Sequence, residues 1–182
     1  MFQYILDNKK AFYDLVGERQ VTQSIQNMIY SQIQESSDES ALDQVDKLYK
    51  KIYPEKAAKL SSQFRLAYYR QAGDRENYAK SAINYFKKFP SKDSEELNEA
   101  AWTFYRVIDN KKQLKKALKW AKKSNKLEDN FYNNDTLAAL YFKLGKKKKA
   151  TKYANKAIEM AKVAGEDYSA TSELLEEIQK MK

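Results

Sequence analysis

The chain contains no cysteine and no histidine. Disulfides, thiolate nucleophiles, Cys–His zinc sites and histidine acid–base chemistry are therefore excluded within its 182 residues. Lack of cysteine does not by itself assign a compartment, because oxidising and reducing ones both tolerate it. Two prolines and four glycines are too few turn-formers for a strand-rich domain, so helices joined by short loops are expected. No apolar run approaches the ~20 residues that a membrane-spanning helix needs. The opening Met1-Phe2-Gln3-Tyr4-Ile5-Leu6 meets Asp7 and Asn8 at once, unlike a signal peptide. It reads as the interior of an amphipathic helix, which predicts a fragment of a longer protein with Met1 as an added start.

What is present supports one helical domain over 1–182. The apolar fraction of 42%, with 13% aromatic residues, is enough for a continuous core, and 32% charged residues suit a long helical surface. The net charge of +9 implies acidic partners or solubility alone.

Periodicity organises the chain. Phe2, Ile5, Leu6, Phe12, Leu15 and Val16 predict one helix over 2–16, ended by Gly17. Val21, Ile25, Met28, Ile29 and Ile33 predict a second helix over 18–34. Ser36 with Glu39 forms a capping-box signal for a third, carrying Ala41, Leu42, Val45, Leu48, Tyr49 and Ile52 up to Pro54. These are N-terminal helices over 1–55. Beyond them come three expected hairpins, over roughly 57–90, 93–128 and 131–163. The first breaks at Gly73 with Asp74 as N-cap, and the second opens on Asp93 with Glu96 and breaks at Asp109-Asn110. The third breaks at Gly145. After Gly165, Leu174, Leu175, Ile178 and Met181 mark a final helix over 166–182. Its solvent face is Glu173, Glu176, Glu177 and Lys180.

The third hairpin is the best formed. Leu137, Ala138, Tyr141 and Phe142 line its first helix, and Ala150, Ala154 and Ala157 line its second beside Tyr153 and Ile158. Small residues at those three positions let helices approach closely. Ala117 and Ala121 repeat Ala150 and Ala154 at an offset close to the ~34-residue period of tetratricopeptide (TPR) units, with Trp120 matching Tyr153. In the hairpin before Pro90, Ala82 fits but Tyr78 stands where alanine is usual. The stretch LAALYFKLGKKKKATKYANKAIEM thus resembles a TPR unit. The resemblance implies an all-α fold of antiparallel helical hairpins stacked as a short right-handed TPR-like solenoid. Residues 57–164 would form about three hairpins, with extra N-terminal helices and a C-terminal capping helix.

A second resemblance covers nearly the whole chain. FQYILDNKKAFYDLVG, NEAAWTFYRVIDNKKQLKKALKWAKKS and NNDTLAALYFKLGKKKKATKYANKAIEMAK are similar to a helical region that follows the thioredoxin-fold domain of some secreted bacterial thioredoxin-like proteins. It implies an accessory C-terminal part and an extracytoplasmic or periplasmic setting. No redox residue carries over, because the chain has no Cys-x-x-Cys pair.

Candidate sites follow from this register. TPR units line their concave groove with first-helix residues. That places Tyr132, Asp135, Ala139, Phe142 and Lys143 on the groove in the third hairpin, and Glu99, Trp102, Arg106 and Asp109 in the second. Aromatic anchors beside charges suit a peptide or a partner helix. The partner is then another protein, a peptide, or the thioredoxin-like domain of the parent. Asp135 and Ala139 argue against the lysine–asparagine carboxylate clamp of one TPR subtype. Trp120, Tyr153, Tyr85 and Phe86 sit on second-helix stripes and are expected in the core.

Two lysine clusters stand out, Lys111, Lys112, Lys115, Lys116, Lys119, Lys122 and Lys123 along one helix and Lys146 to Lys149 in a turn. The first reading is a solvated face whose stems cover apolar surface. The alternative is an anionic-partner surface, for nucleic acid or an acidic surface. Nucleic acid is the less favoured of these, since arginine and base-stacking aromatics are missing from the clusters. The carboxylate pairs Glu95-Glu96, Glu128-Asp129 and Glu176-Glu177 are sequence neighbours that diverge on a helix. With no phosphate loop and no nucleophile–base set, no enzyme, cofactor or metal site is expected.

Overall fold

The computed structural model describes residues 2–34 and 40–181. The capping pair expected at Ser36 and Glu39 lies outside the described residues, as do the side chains of Phe2 and Ile33. All regular structure among the described residues is helical, in eleven helices with no strand. They are α1 (Phe2–Asp7), α2 (Lys9–Val16), α3 (Glu18–Gln34), α4 (Ser40–Ile52), α5 (Ala57–Gln71), α6 (Arg75–Lys88), α7 (Ser94–Val107), α8 (Lys111–Leu127), α9 (Phe131–Lys143), α10 (Lys147–Ala164) and α11 (Ser169–Lys180). None is long and apolar enough to cross a membrane. The chain divides into two compact units, Met1–Ala72 and Gly73–Lys182. The boundary falls between α5 and α6, inside the first expected hairpin.

The first unit gathers Val21, Ile25 and Ile29 of α3, Leu42, Val45 and Tyr49 of α4, and Leu60 and Phe64 of α5 into one core. The single helix expected over 2–16 is two helices that part at Asn8. The Asn8 side chain donates to the Tyr4 carbonyl at 2.9 Å, the local competition with helix that asparagine offers. Leu15 and Val16, expected on an apolar stripe, are exposed. On α4, by contrast, Ala41, Leu42, Val45, Tyr49 and Ile52 are buried as expected, and Leu48 is half-buried. Arg65 of α5 forks onto both carboxylate oxygens of Asp46 at 2.7 and 2.8 Å.

The second unit is built on alanine. Ala79, Ala82, Ala101, Ala117, Ala121, Ala138, Ala139, Ala150, Ala154, Ala157 and Ala161 are all fully buried. Helix α7 packs along α8 and α9 along α10. Helix α9 also lies against both α7 and α8, while α11 rests on α10 and touches α9. Asp74, Asp93, Asn110 and Asn130 accept from backbone N–H groups of the first turns of α6, α7, α8 and α9. Glu96 does not complete a capping box with Asp93. Its carboxylate accepts instead from the phenol of buried Tyr85 at 2.7 Å, a polar tip that needs a partner. Gly145 and Gly165 end α9 and α10 with φ of 73° and 71°, a left-handed conformation that glycine adopts at least cost.

Large side chains fill the gaps between the alanines. Trp120 packs on Phe86 and Phe104 at 4.7 and 5.0 Å, Tyr78 on Phe104 at 5.8 Å, and Tyr153 stacks on Tyr141 at 5.5 Å. Tyr85 and Phe86 are buried, and Trp120 and Tyr153 are half-buried. Leu127, the last residue of α8, is exposed. At about 100° per residue it lies roughly 100° from the centre of the stripe of Leu114, Ala117, Ala121 and Ser124.

Candidate functional site

Helix α9 runs through the middle of the second unit. Asn133, Asn134, Thr136, Leu137, Ala138, Ala139, Leu140 and Tyr141 are buried, which leaves Phe131, Tyr132, Asp135, Phe142 and Lys143 as its approachable positions. At about 100° per residue these five fall on one stripe along the helix, and Ala139 lies within the same arc as a buried small residue. Four of the five, Tyr132, Asp135, Phe142 and Lys143, are the groove positions that the sequence register picks out. Phe131 is an addition. Ala139 belongs to the stripe by register, but neighbouring helices cover its methyl group completely.

The neighbouring stripe on α7 carries Trp102, half-buried, and Arg106 and Glu99, both exposed, opposite the buried Leu97, Ala100, Ala101 and Phe104. Trp102 packs against Tyr105 with ring centroids 5.1 Å apart. Lys143 ties the two helices together. Its ammonium donates to the Tyr105 carbonyl at 2.8 Å, pairs with Asp109 at 2.9 Å and sits 5.8 Å from the Tyr105 ring. Asp109 is exposed, and the hydrogen bond from Lys143 holds its carboxyl below the usual range. Trp102, Tyr105, Asp109 and Lys143 thus form one connected patch.

Tyr132 and Asp135 face the C-terminal segment. The Tyr132 phenol donates to Glu166 Oε2 at 3.1 Å, and Asp135 Oδ1 accepts from Thr171 Oγ1 at 2.7 Å. Thr171 is buried at the start of α11. Burial raises the Asp135 carboxyl above its ordinary value, and the Thr171 hydrogen bond works against that rise. Burial likewise raises the Tyr105 phenol, and the charge of Asp135 adds to it. The two subsets therefore meet between Tyr105 and Asp135. Sequence periodicity did not anticipate Thr171 or Glu166. The one available signal is that Thr171 precedes buried Ile178 by two helical turns on the same face.

The base of α9 is held by a polar network that apolar periodicity also missed. Ser124 Oγ donates to the Ser94 carbonyl at 2.7 Å or to Asn133 Oδ1 at 2.8 Å. Asn133 Nδ2 reaches Ser94 Oγ at 3.0 Å and the Glu128 carbonyl at 2.6 Å. Asn134 donates to Asp129 and to the Asn130 carbonyl. This fastens the start of α9 to the start of α7 and the end of α8, which sets the register of the two stripes.

The carboxylate pairs do different work. Glu96 takes the Tyr85 phenol, Asp129 pairs with Lys156, and Glu177 pairs with Lys180 at 2.6 Å. Among the described residues no three carboxylates gather as a metal site would require. The seven α8 lysines of the sequence cluster, together with Lys126, are all exposed. In comparisons with protein families, curated proteins and solved structures, nothing matches this chain.

Proposed function

We propose that residues 73–182 form a short TPR-like stack of helical hairpins, and that the α7–α9 face receives an extended peptide or a partner helix. The chain is then a non-catalytic interaction or scaffold part. Its resemblance to the helical region of thioredoxin-fold proteins makes the natural setting that of an accessory beside such a domain, outside the cytoplasm. The observation that carries this reading is the α9 stripe. A helix buried on about two-thirds of its circumference leaves one stripe approachable, and four of the five positions on it, Tyr132, Asp135, Phe142 and Lys143, are ones that line the groove in TPR units.

Two further features support it. The first helix of the last hairpin lies on the pair before it, α9 on α7 and α8, the contact pattern of stacked hairpins. The fully buried alanines of α8 and α10 sit at equivalent positions. Trp102 and Phe142 supply apolar anchors, and Arg106 and the Lys143–Asp109 pair flank them with charge.

The test is binding by Trp102→Ala and Phe142→Ala chains, measured on a random peptide library and on isolated thioredoxin-fold domains. Each substitution lowers affinity at least about tenfold, the loss of a hot-spot contact, while the melting temperature changes little. A melting temperature that falls in step with binding makes these rings core and overturns the reading. A thioredoxin-fold segment encoded upstream of Phe2 in the genomic reading frame checks the proposed setting.

A further inference from the structure

The seventeen residues of α8, KKQLKKALKWAKKSNKL, include eight lysines and no acidic residue. At about 100° per residue, Lys111, Lys112, Lys115, Lys116, Lys119, Lys122, Lys123 and Lys126 fill an arc of roughly 140°, and no other residue type falls within it. All eight are exposed. The opposite side, Leu114, Ala117, Ala121 and Ser124, is fully buried in the protein. The result is a straight cationic ridge about 25 Å long at ~1.5 Å per residue.

Solvation alone does not account for this ridge. Lysines three and four apart repel one another along its whole length. Lys111 and Lys112 also stand in the first turn, at the positive end of the helix dipole, with no acid in that turn. Two helices of the same unit, α6 and α7, follow the opposite rule, whereas α10 opens on Lys147, Lys148 and Lys149 without an acid. Helix α6 has Glu76 in its first turn and Lys87 and Lys88 in its last, and α7 has Glu95 and Glu96 first and Arg106 last. Other lysines find carboxylates, as in Lys80–Glu76, Lys143–Asp109, Lys156–Asp129 and Lys180–Glu177. Among the described residues none of the eight α8 lysines is in an ion pair. Lys123 donates to the Ser91 carbonyl and Lys122 lies over the Tyr141 ring, but no carboxylate among the described residues neutralises the ridge.

We infer that the α8 ridge docks the protein on an anionic lipid bilayer surface. The arc has no apolar or aromatic anchor that would fix a protein partner in one register. It has no arginine fork for phosphate or base edges and no ring on which bases could stack. Lysines on flexible stems give charge without shape. A fluid surface of acidic headgroups needs no register and gathers its charges beneath such a face. The apolar side of α8 is committed to the protein core, so contact stays at headgroup level.

The test is co-sedimentation of the full chain with phosphatidylcholine vesicles, with and without about one-third phosphatidylglycerol, at low and moderate salt. The chain binds the anionic vesicles, ignores the neutral ones and is released by salt. Replacing Lys111, Lys115, Lys116 and Lys119 by glutamine lowers binding on the order of 1,000-fold if each lysine contributes its usual share at an acidic surface. The control chain Lys47→Gln, Lys50→Gln, Lys51→Gln, Lys59→Gln loses the same formal charge elsewhere and keeps most of its binding. Circular dichroism checks that both variants remain helical. Equal loss in the two variants, equal binding to neutral vesicles, or binding to duplex DNA but not to anionic vesicles overturns the inference.

Discussion

The two units use the same helical material and pack it differently. In Met1–Ala72 the helices meet through large side chains, with Ile25, Ile29, Tyr49, Leu60 and Phe64 filling the space between α3, α4 and α5. That filling is incomplete. A cleft of about 320 Å³ remains, lined by Gln23, Gln26, Asn27, Tyr30, Tyr49, Leu60, Gln63, Phe64 and Ala67. In Gly73–Lys182 fully buried alanines on α6 to α10 let backbones come close, and the aromatics are wedged between helices. Close packing on small residues fixes each helix in its register. The candidate site on α7 and α9 lies in the second unit.

The difference predicts opposite sensitivities. Ile25 is fully buried in the core of the first unit. Ile25→Ala removes three carbons that nothing replaces and costs about 2–5 kcal/mol by denaturant titration. In the second unit the damage comes from adding bulk. Ala154→Leu forces α10 away from its neighbours and costs about 1–3 kcal/mol. The matched substitution Ala67→Leu adds the same volume at the cleft wall and changes stability by less than about 0.5 kcal/mol. Equal losses at Ala154 and Ala67 would remove the distinction between the two packing modes. A smaller effect is expected at the polar base of α9. Asn130 caps that helix by accepting from the Asn133 N–H at 2.9 Å, and Asn130→Ala costs about 1 kcal/mol.

Much of the second unit was legible because its contacts are periodic. Ala150, Ala154 and Ala157 announce a close-packed stripe through their spacing alone, and all three are fully buried. The approachable stripe of α9 followed from the same register, with Gly145 as the reference point. Polar contacts carry no such period. Nothing in the run of Ser94, Ser124 and Asn133 marks them as one network, because they are far apart in sequence and each is ordinary by itself. The Asn8 break and the choice of Tyr85 over a capping box by Glu96 are local competitions settled by one hydrogen bond each. The division at Gly73 looks like any other interhelical turn in sequence, because whether two consecutive helices share one compact unit depends on every side chain around them.

The finest comparison sets two aspartates against each other. Asp46, in the first unit, is hydrogen-bonded by the Arg65 fork, which holds its carboxyl below the ordinary value. Its contribution is therefore complete above the unfolded value near 3.9 and is lost as pH falls through the lower folded value. Asp46→Asn costs about 0.2–1 kcal/mol at neutral pH, since the pair is partly solvated, and nothing once the carboxylate would be protonated. Asp135, in the second unit, has the opposite sign. Burial raises it, so stability is greatest below the unfolded value and declines as pH rises through the raised folded value. Asp135→Asn keeps an oxygen for the Thr171 hydroxyl and removes a charge that burial disfavours. It should leave acid stability unchanged, raise stability at neutral pH, and bring the Tyr105 phenol down towards its ordinary value in an ultraviolet titration. If Asp135→Asn instead destabilises at neutral pH, the carboxylate is stabilised by an interaction beyond Thr171. The α9 stripe would then hold a charge that the fold requires, where a partner had been expected to find one.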